Sequence, residues 1–170
     1  MKIQFKKAEE KDIPVIWEIL QQAIRRRKEE GSNQWQDGYP NPDVVRRDLD
    51  NGVGYVLTLE ERVVAYSAIL LNDEPEYHRI QGKWLTQGDF LVVHRIAVAD
   101  NQLGKGLATS ILMYAEELAL QQSVFSIRID TNFDNKAMLR IIEKLGYVYC
   151  GEVYFRGSLR RAYEKVLHKE

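Results

Sequence analysis

Asn101-Gln102-Leu103-Gly104-Lys105-Gly106-Leu107-Ala108-Thr109-Ser110 is the stretch on which the reading of this chain turns. An apolar, strand-like run from Phe90 to Val98 precedes it, and a helix-like run from about Lys105 to Gln121 follows. A Gly-x-Gly turn that opens directly into a helix is suited to holding phosphate. Glycines at 104 and 106 let the backbone approach an anion with no Cβ in the way, and the unpaired N–H groups of the helix start point outward. The partial positive charge of the helix start adds to the attraction. Two other phosphate readings fail on spacing. A nucleotide-triphosphate P-loop places its lysine after the second glycine with Ser or Thr next, whereas Lys105 lies between the glycines and Leu107 follows them. The dinucleotide fingerprint needs a third glycine where Thr109 stands.

Outward from this stretch the pattern is that of a mixed α/β chain. Ile3 and Phe5 alternate with polar residues as a first strand. Asp12 is placed to cap a helix with Pro14 in its first turn, and Ile16, Ile19, Leu20, Ala23 and Ile24 keep helical spacing to about Arg27. Asn41-Pro42 opens a second helix closed at Asn51-Gly52. Strands are expected over 55–59 and 63–71 around a tight turn at 60–62, then over 90–98 and 125–130. The polar segment 72–88 reads as a long connection. Asp134 is placed to cap a helix with Met138, Ile141, Ile142 and Leu145 on one face, stopped by Gly146. Residues 147–155 and 159–167 read as a closing hairpin. The order is β-α-α-β-β-β-α-β-α-β-β.

Composition narrows the function classes. At 170 residues and 45% hydrophobic, the chain has material for one sizeable core, and we expect a single domain over 1–170. A net charge of −1 gives no sign of a dedicated nucleic-acid binder. Arg25-Arg26-Arg27-Lys28 reads as a solvated helix end, cations near the C-terminus, rather than a polyanion site. The single cysteine, Cys150, excludes an intramolecular disulfide and suits a reducing compartment. No run reaches transmembrane length, and Met1 to Lys6 is not a signal peptide. A cytoplasmic protein without membrane or nucleic-acid partners is expected.

A second block makes the first specific. Ile96-Ala97-Val98 leads into Leu103-Gly104-Lys105-Gly106-Leu107-Ala108, and farther on Asn135, Met138, Ile142, Lys144 and Gly146-Tyr147 fall at fixed distances down a helix. Together these resemble the two signatures of the Gcn5-related N-acetyltransferase (GNAT) superfamily, over nearly the whole chain. The resemblance implies the GNAT fold, a mixed central β-sheet of about six to seven strands flanked by about four helices. It implies acetyl-CoA as co-substrate and no metal. The pyrophosphate would lie on Leu103, Gly104, Lys105, Gly106, Leu107, Ala108 and Thr109. The pantetheine arm would pair along Ile96, Ala97 and Val98, with the Val98 N–H polarising the thioester carbonyl. Asn135 would bind the cofactor by its amide and Lys144 a phosphate. Two positions depart from the family pattern. Leu103 stands where Gln or Arg is usual, with Gln102 beside it as a substitute donor. Ile142 stands where many relatives carry the tyrosine that protonates the leaving thiolate.

The acceptor chemistry sets the search for a base. An alkyl amine of pKa ~10.4 is neutral in only about one molecule in 2,500 at pH 7, a penalty of roughly 4.6 kcal/mol, against about 1.4 kcal/mol for an α-amine near ~8. His94 is the first candidate, on the same side of its strand as Ile96 and Val98 by alternation, with a structural hydrogen bond as its competing role. Asp89 and Asp130 are weaker candidates. Tyr147 is the candidate acid, set against an ordinary core tyrosine. The ring- and amide-rich loop 33–40 suggests a substrate wall from Trp35 and Tyr39. The leading reading is an N-acetyltransferase for a primary amine of a small molecule or amino acid. A protein or peptide N-terminal acetyltransferase and a non-catalytic acyl-CoA-binding regulatory module are the alternatives. Val153, Tyr154 and Phe155 offer a homodimer surface or an ordinary hairpin.

Overall fold

Twelve regular elements build the chain in the computed structural model, which describes residues 2–168. Met1, Lys169 and Glu170, included in the single-domain expectation, lie outside the described residues. The elements are β1 (Ile3–Lys7), α1 (Ile13–Glu29), α2 (Pro42–Asp50), β2 (Gly54–Leu59), β3 (Arg62–Leu71), β4 (Gln81–Gly82), β5 (Leu91–Val98), α3 (Leu107–Gln121), β6 (Ser126–Asn132), α4 (Lys136–Lys144), β7 (Val148–Phe155) and β8 (Ser158–Val166). The strands form one mixed sheet in the order β1-β2-β3-β5-β6-β8-β7-β4. β5 and β6 pair in parallel over Leu91–Ile127 and Val92–Arg128, and the hairpins are antiparallel. The contacts group into two compact units, residues 1–69 with 94–112, and residues 70–93 with 113–170.

The first unit is built on α1. Ile16, Ile19, Leu20 and Ala23 follow the i, i+3, i+4, i+7 rule and are 6% exposed or less, packed with Val45, Val56, Tyr66 and Ala97. Each large apolar side chain buried there contributes about 1.5–3 kcal/mol. α2 begins as its sequence predicts, with Asn41 accepting from the Val44 N–H at 3.0 Å. Asp12 differs from expectation. Its carboxylate accepts from the Glu9 N–H at 2.9 Å and closes a 3-10 turn over Glu10–Asp12, instead of capping α1. The turn joining β2 to β3 holds Glu60 and Glu61 at φ 49° and 69°, the left-handed pair that matches strand twist in a two-residue hairpin.

The second unit centres on Tyr77, Trp84, Phe90, Val92, Cys150, Val153 and Ala162. Its hairpin, β7 with β8, stands close to the predicted boundaries. The eighth strand, β4, is the main departure from the expected count. It is two residues long inside the polar connection and pairs Gln81 with Glu152 and Gly82 with Gly151. No alternation marks so short a strand in the sequence. Its cause is backbone proximity: a Cβ on Gly82 would fall 2.1 Å from the Cys150 carbonyl oxygen, and one on Gly151 2.3 Å from that of Gln81. Both glycines have positive φ as well. α4 is capped by Asn135, which accepts from the Met138 N–H, whereas Asp134 accepts from the Asn132 amide at 2.6 Å. The buried residues of α4 are Leu139 and Ile142. Of the hairpin residues offered as a dimer surface, Val153 is buried and Tyr154 exposed.

Candidate active site

β5 carries the candidate base and an unforeseen constraint beside it. His94 is half-buried, and its carbonyl accepts from the Ser67 hydroxyl at 3.1 Å. Arg95 follows with φ 56°, in the left-handed region, within a strand. An L-residue there is strained by about 1–2 kcal/mol. The expected alternation, which put His94, Ile96 and Val98 on one side, is therefore interrupted at Arg95. Exposure agrees, since residues 94–96 are all half-buried and Ala97 and Val98 are both buried.

The Arg95 side chain explains how the strain is sustained. Its Nε and Nη2 donate to the two carboxylate oxygens of Asp48, and Nη1 donates to the Tyr39 hydroxyl at 2.6 Å. Tyr66 also donates to Asp48. Arg95 and Asp48 side chains are 10% and 6% exposed, so this two-pronged, charge-assisted contact is made largely out of water. Desolvation alone would lower the Arg95 pKa, but Tyr39 and Asp48 raise it beyond its ordinary value. Burial and Asp48 keep Tyr66 protonated by pushing its phenol far above the usual range. Tyr39 is thus a buried member of a polar network, and Trp35, half-buried at φ 63°, packs against the α1 core.

The segment after β5 is pinned from α1. The Val98 carbonyl accepts from Arg26 Nη2 at 3.0 Å, Arg26 also pairs with Asp100, and the Asp100 N–H donates to Gln22 at 2.8 Å. Arg27 is buried and donates to Gln34 and Ser32. The basic run at the end of α1 is therefore partly built into the structure and not simply a solvated face. Gly104 and Gly106 take φ 79° and 75°, which only glycine adopts without strain, and space within 4 Å of an added Cβ is empty at both. The first helical bond of α3 runs from the Ser110 N–H to the Gly106 carbonyl, so the N–H groups of Leu107, Ala108 and Thr109 precede it. Leu103 is exposed, and Lys105 Nζ donates to the side-chain oxygen of Gln102, the residue expected to replace the missing family donor.

In the second unit, Asn135 is spent on its own helix cap and Lys144 is exposed. Tyr147 is 5% exposed, and its phenol oxygen has no hydrogen-bond partner among the described residues. Burial, reinforced by Glu116, lifts its pKa well above the ordinary phenol, so it stays protonated at neutral pH. Asp130 is engaged by the Tyr77 hydroxyl at 2.6 Å and by Arg160. Asp89 accepts from Asn72. Cys150 is buried, and desolvation raises its thiol pKa, which leaves little thiolate. Among the described residues there is no cluster of three or more His, Cys, Asp or Glu able to hold a metal ion, and no helix long and apolar enough to cross a membrane.

Residues 17–147 match the model of the acetyltransferase (GNAT) family. The chain belongs to that family. An acetyltransferase of the GNAT family from Streptococcus agalactiae is 34% identical, with 98% of this chain and 96% of that one covered, and superposes with a TM-score of 0.89. The uncharacterised N-acetyltransferase YesJ of Bacillus subtilis is 26% identical over 144 residues, covering 82% of this chain and 78% of YesJ. Among more distant GNAT folds, yncA of Salmonella typhimurium, solved with its cofactor acetyl-CoA, is 15% identical with a TM-score of 0.72 over 100% of this chain and 96% of that one. The α/β fold and the acetyltransferase class expected from the two motifs are thereby established.

Sequence reasoning missed Arg95, Asp48 and Tyr66, and misjudged Arg26 and Arg27. Arg95 and Asp48 lie 47 positions apart, and no local pattern links them. The one available signal was a pair of charged residues, Asp48 and Arg95, each inside an otherwise apolar-faced element.

Proposed function

We propose that this GNAT acetyltransferase uses acetyl-CoA to acetylate a primary amine of a small molecule or amino acid by direct transfer. The observation that carries the reading is the Gly104–Thr109 turn. Glycine conformations, empty space beside them and the unpaired N–H groups at the start of α3 together suit a pyrophosphate. Leu103, Lys105, Leu107, Ala108 and Thr109 complete that cradle in the proposal, and Ile96, Ala97 and Val98 supply the strand for the pantetheine arm. The acetyl-CoA held by yncA supports the same co-substrate here. Asn135 and Lys144 are proposed as further cofactor contacts, the amide of Asn135 only at the expense of its cap on α4.

In the proposed reaction the amine nitrogen attacks the thioester carbonyl, the new C–N bond replaces the C–S bond, and the amine proton passes to His94. General-base assistance of this kind contributes about 10²–10⁴-fold. Tyr147 is the proposed proton donor to the departing thiolate, supported by its orphaned hydroxyl. Its raised pKa makes that donation unfavourable against a thiol near ~8.5, so its catalytic share is small. Trp35 and Tyr39 are proposed as the acceptor wall.

Calorimetry with acetyl-CoA followed by thiol release against an amine panel tests the reading. Binding with amine-dependent release supports it, and absence of binding overturns it. Gly106→Glu should abolish acetyl-CoA binding in a folded protein, because it sets bulk and charge against the pyrophosphate. His94→Ala should slow strongly basic amines most; equal losses for weak and strong amines would remove His94 from the role of base.

A further inference from the structure

A cavity of about 410 Å³ lies wholly within the second unit, and Tyr77, His78, Lys83, Trp84, Phe90 and Arg128 are among its lining residues. No Asp or Glu is among the described residues that line it. Its volume falls in the range of small-molecule sites. Arg128 is held there from several sides. Its guanidinium carbon lies 4.4 Å from the centre of the Trp84 ring and 4.1 Å from that of Phe90. Nε donates to Glu164 at 3.3 Å and Nη2 to the Thr86 carbonyl at 2.7 Å. Nη1 makes no hydrogen bond among the described residues. Among the described residues the fully enclosed, unpartnered side-chain atoms are the Tyr147 oxygen and Arg160 Nε, so Arg128 Nη1 keeps contact with solvent.

Glu164 cannot supply what Nη1 lacks. It is fully buried and already accepts from the Leu85 and Thr86 N–H groups, the Thr86 and Ser126 hydroxyls and Arg128 Nε. Lys83, on the cavity wall, has no ion-pair partner among the described residues. The cavity thus offers the Nη1 end of an anchored guanidinium and one exposed ammonium, with aromatic and aliphatic walls that include Ile80.

We infer that this cavity binds a small organic carboxylate, with the anion between Arg128 Nη1 and Lys83 Nζ and its apolar body against Trp84 and Tyr77. The Nε and Nη2 side of the guanidinium is already taken by Glu164 and Thr86, which leaves Nη1 for the anion, and the aromatic walls rather than that contact favour an organic acid. The apolar walls would gain nothing from an inorganic anion. The site stands on the geometry of the second unit alone and does not depend on the acetyl-transfer reading.

The probe is 3-phenylpropionate, with 3-phenylpropionamide as its uncharged counterpart and inorganic phosphate as a control. Binding to the full chain without acetyl-CoA is followed by calorimetry and by ligand-observed NMR. The carboxylate should bind at least about tenfold more tightly than the amide, the size of one charge-assisted contact. Lys83→Glu, an exposed substitution, should weaken it by a similar factor with an unchanged circular dichroism spectrum. Arg128→Lys, which keeps a cation opposite Glu164 but loses Nη1, should do the same. Equal binding of acid and amide, displacement by phosphate at the same concentration, undiminished binding by Lys83→Glu or no saturable binding would each overturn the site. L-Phenylalanine with acetyl-CoA then separates the sources of the carboxylate. Thiol release assigns it to the acceptor, binding without release to an effector, and either outcome upholds the site.

Discussion

Each unit of this protein holds a buried arginine–carboxylate pair, Arg95 with Asp48 and Arg128 with Glu164, and these two pairs are built in opposite senses. In the first, the cation is saturated: all three guanidinium nitrogens of Arg95 find acceptors in Asp48 and Tyr39. In the second, the anion is saturated: Glu164 accepts from five donors, only one of which belongs to Arg128. A saturated guanidinium is a strut, able to hold a strained residue in β5 and tie it to α2. A saturated carboxylate leaves its arginine anchored but not exhausted. The same residue pair can therefore fix a backbone or present a donor, according to which partner has capacity left.

The largest test of that contrast is removal of each acid. Glu164→Ala and Asp48→Ala should each cost about 3–5 kcal/mol in urea unfolding, because a buried cation loses its partner. Replacing both members by apolar residues should then separate the two pairs. Arg95→Met with Asp48→Leu should return most of the loss, since only the Tyr66 and Tyr39 hydroxyls are left to rearrange. Arg128→Met with Glu164→Leu should return little, because two N–H groups and two hydroxyls of Leu85, Thr86 and Ser126 are stranded. Similar recovery in both would erase the distinction drawn between them.

Acid titration probes the second pair next. Burial opposes ionisation of Glu164, but Ser126, Thr86, the Leu85 N–H and Arg128 outweigh it and hold its pKa below the ordinary value. A carboxyl with a lowered folded pKa contributes stability above its unfolded value of about 4.3, and that contribution is lost as pH falls through the folded pKa. Unfolding free energy should fall below about pH 4 in the parent, and this component should vanish in Glu164→Gln. Tyr39→Phe should cost about 1–3 kcal/mol, since Arg95 Nη1 loses its acceptor in a buried place. The smallest effect is expected for Tyr147→Phe. Removing a buried hydroxyl that has no partner should leave stability unchanged or raise it by up to about 1 kcal/mol, with thiol release reduced less than tenfold.

Much of this architecture was legible because local chemistry and tertiary role agree. Asn41 caps α2, the helical spacing of Ile16 to Ala23 faces the core, and the Gly104–Gly106 turn opens α3 within two residues of the expected start. What escaped depends on partners distant in sequence. A left-handed residue inside an apolar strand has no local signature, and Arg95 is tolerated only because Asp48 and Tyr39 meet it in the fold. Asp12 and Asp134 fit the pattern of caps because short carboxylates favour helix starts. In each case a neighbouring donor, the Glu9 N–H for Asp12 and the Asn132 amide N–H for Asp134, drew the carboxylate elsewhere. The arginines ending α1 looked solvated because composition alone cannot tell that Val98 and Ser32 would come within reach of them.

The contact of Gly82 with Gly151 has a consequence for how this protein could be re-engineered. It acts as a stitch in the chain from Asn72 to Phe90, turning one long loop into two short spans with little freedom left to lose. Exposed side chains on either span, such as Arg79 and Gln87, can be exchanged without releasing the wall, whereas buried Tyr77 and Trp84, and Leu85 and Thr86 that hold Glu164, belong to it. A single methyl group at either glycine would cut the stitch, and both spans would come loose together.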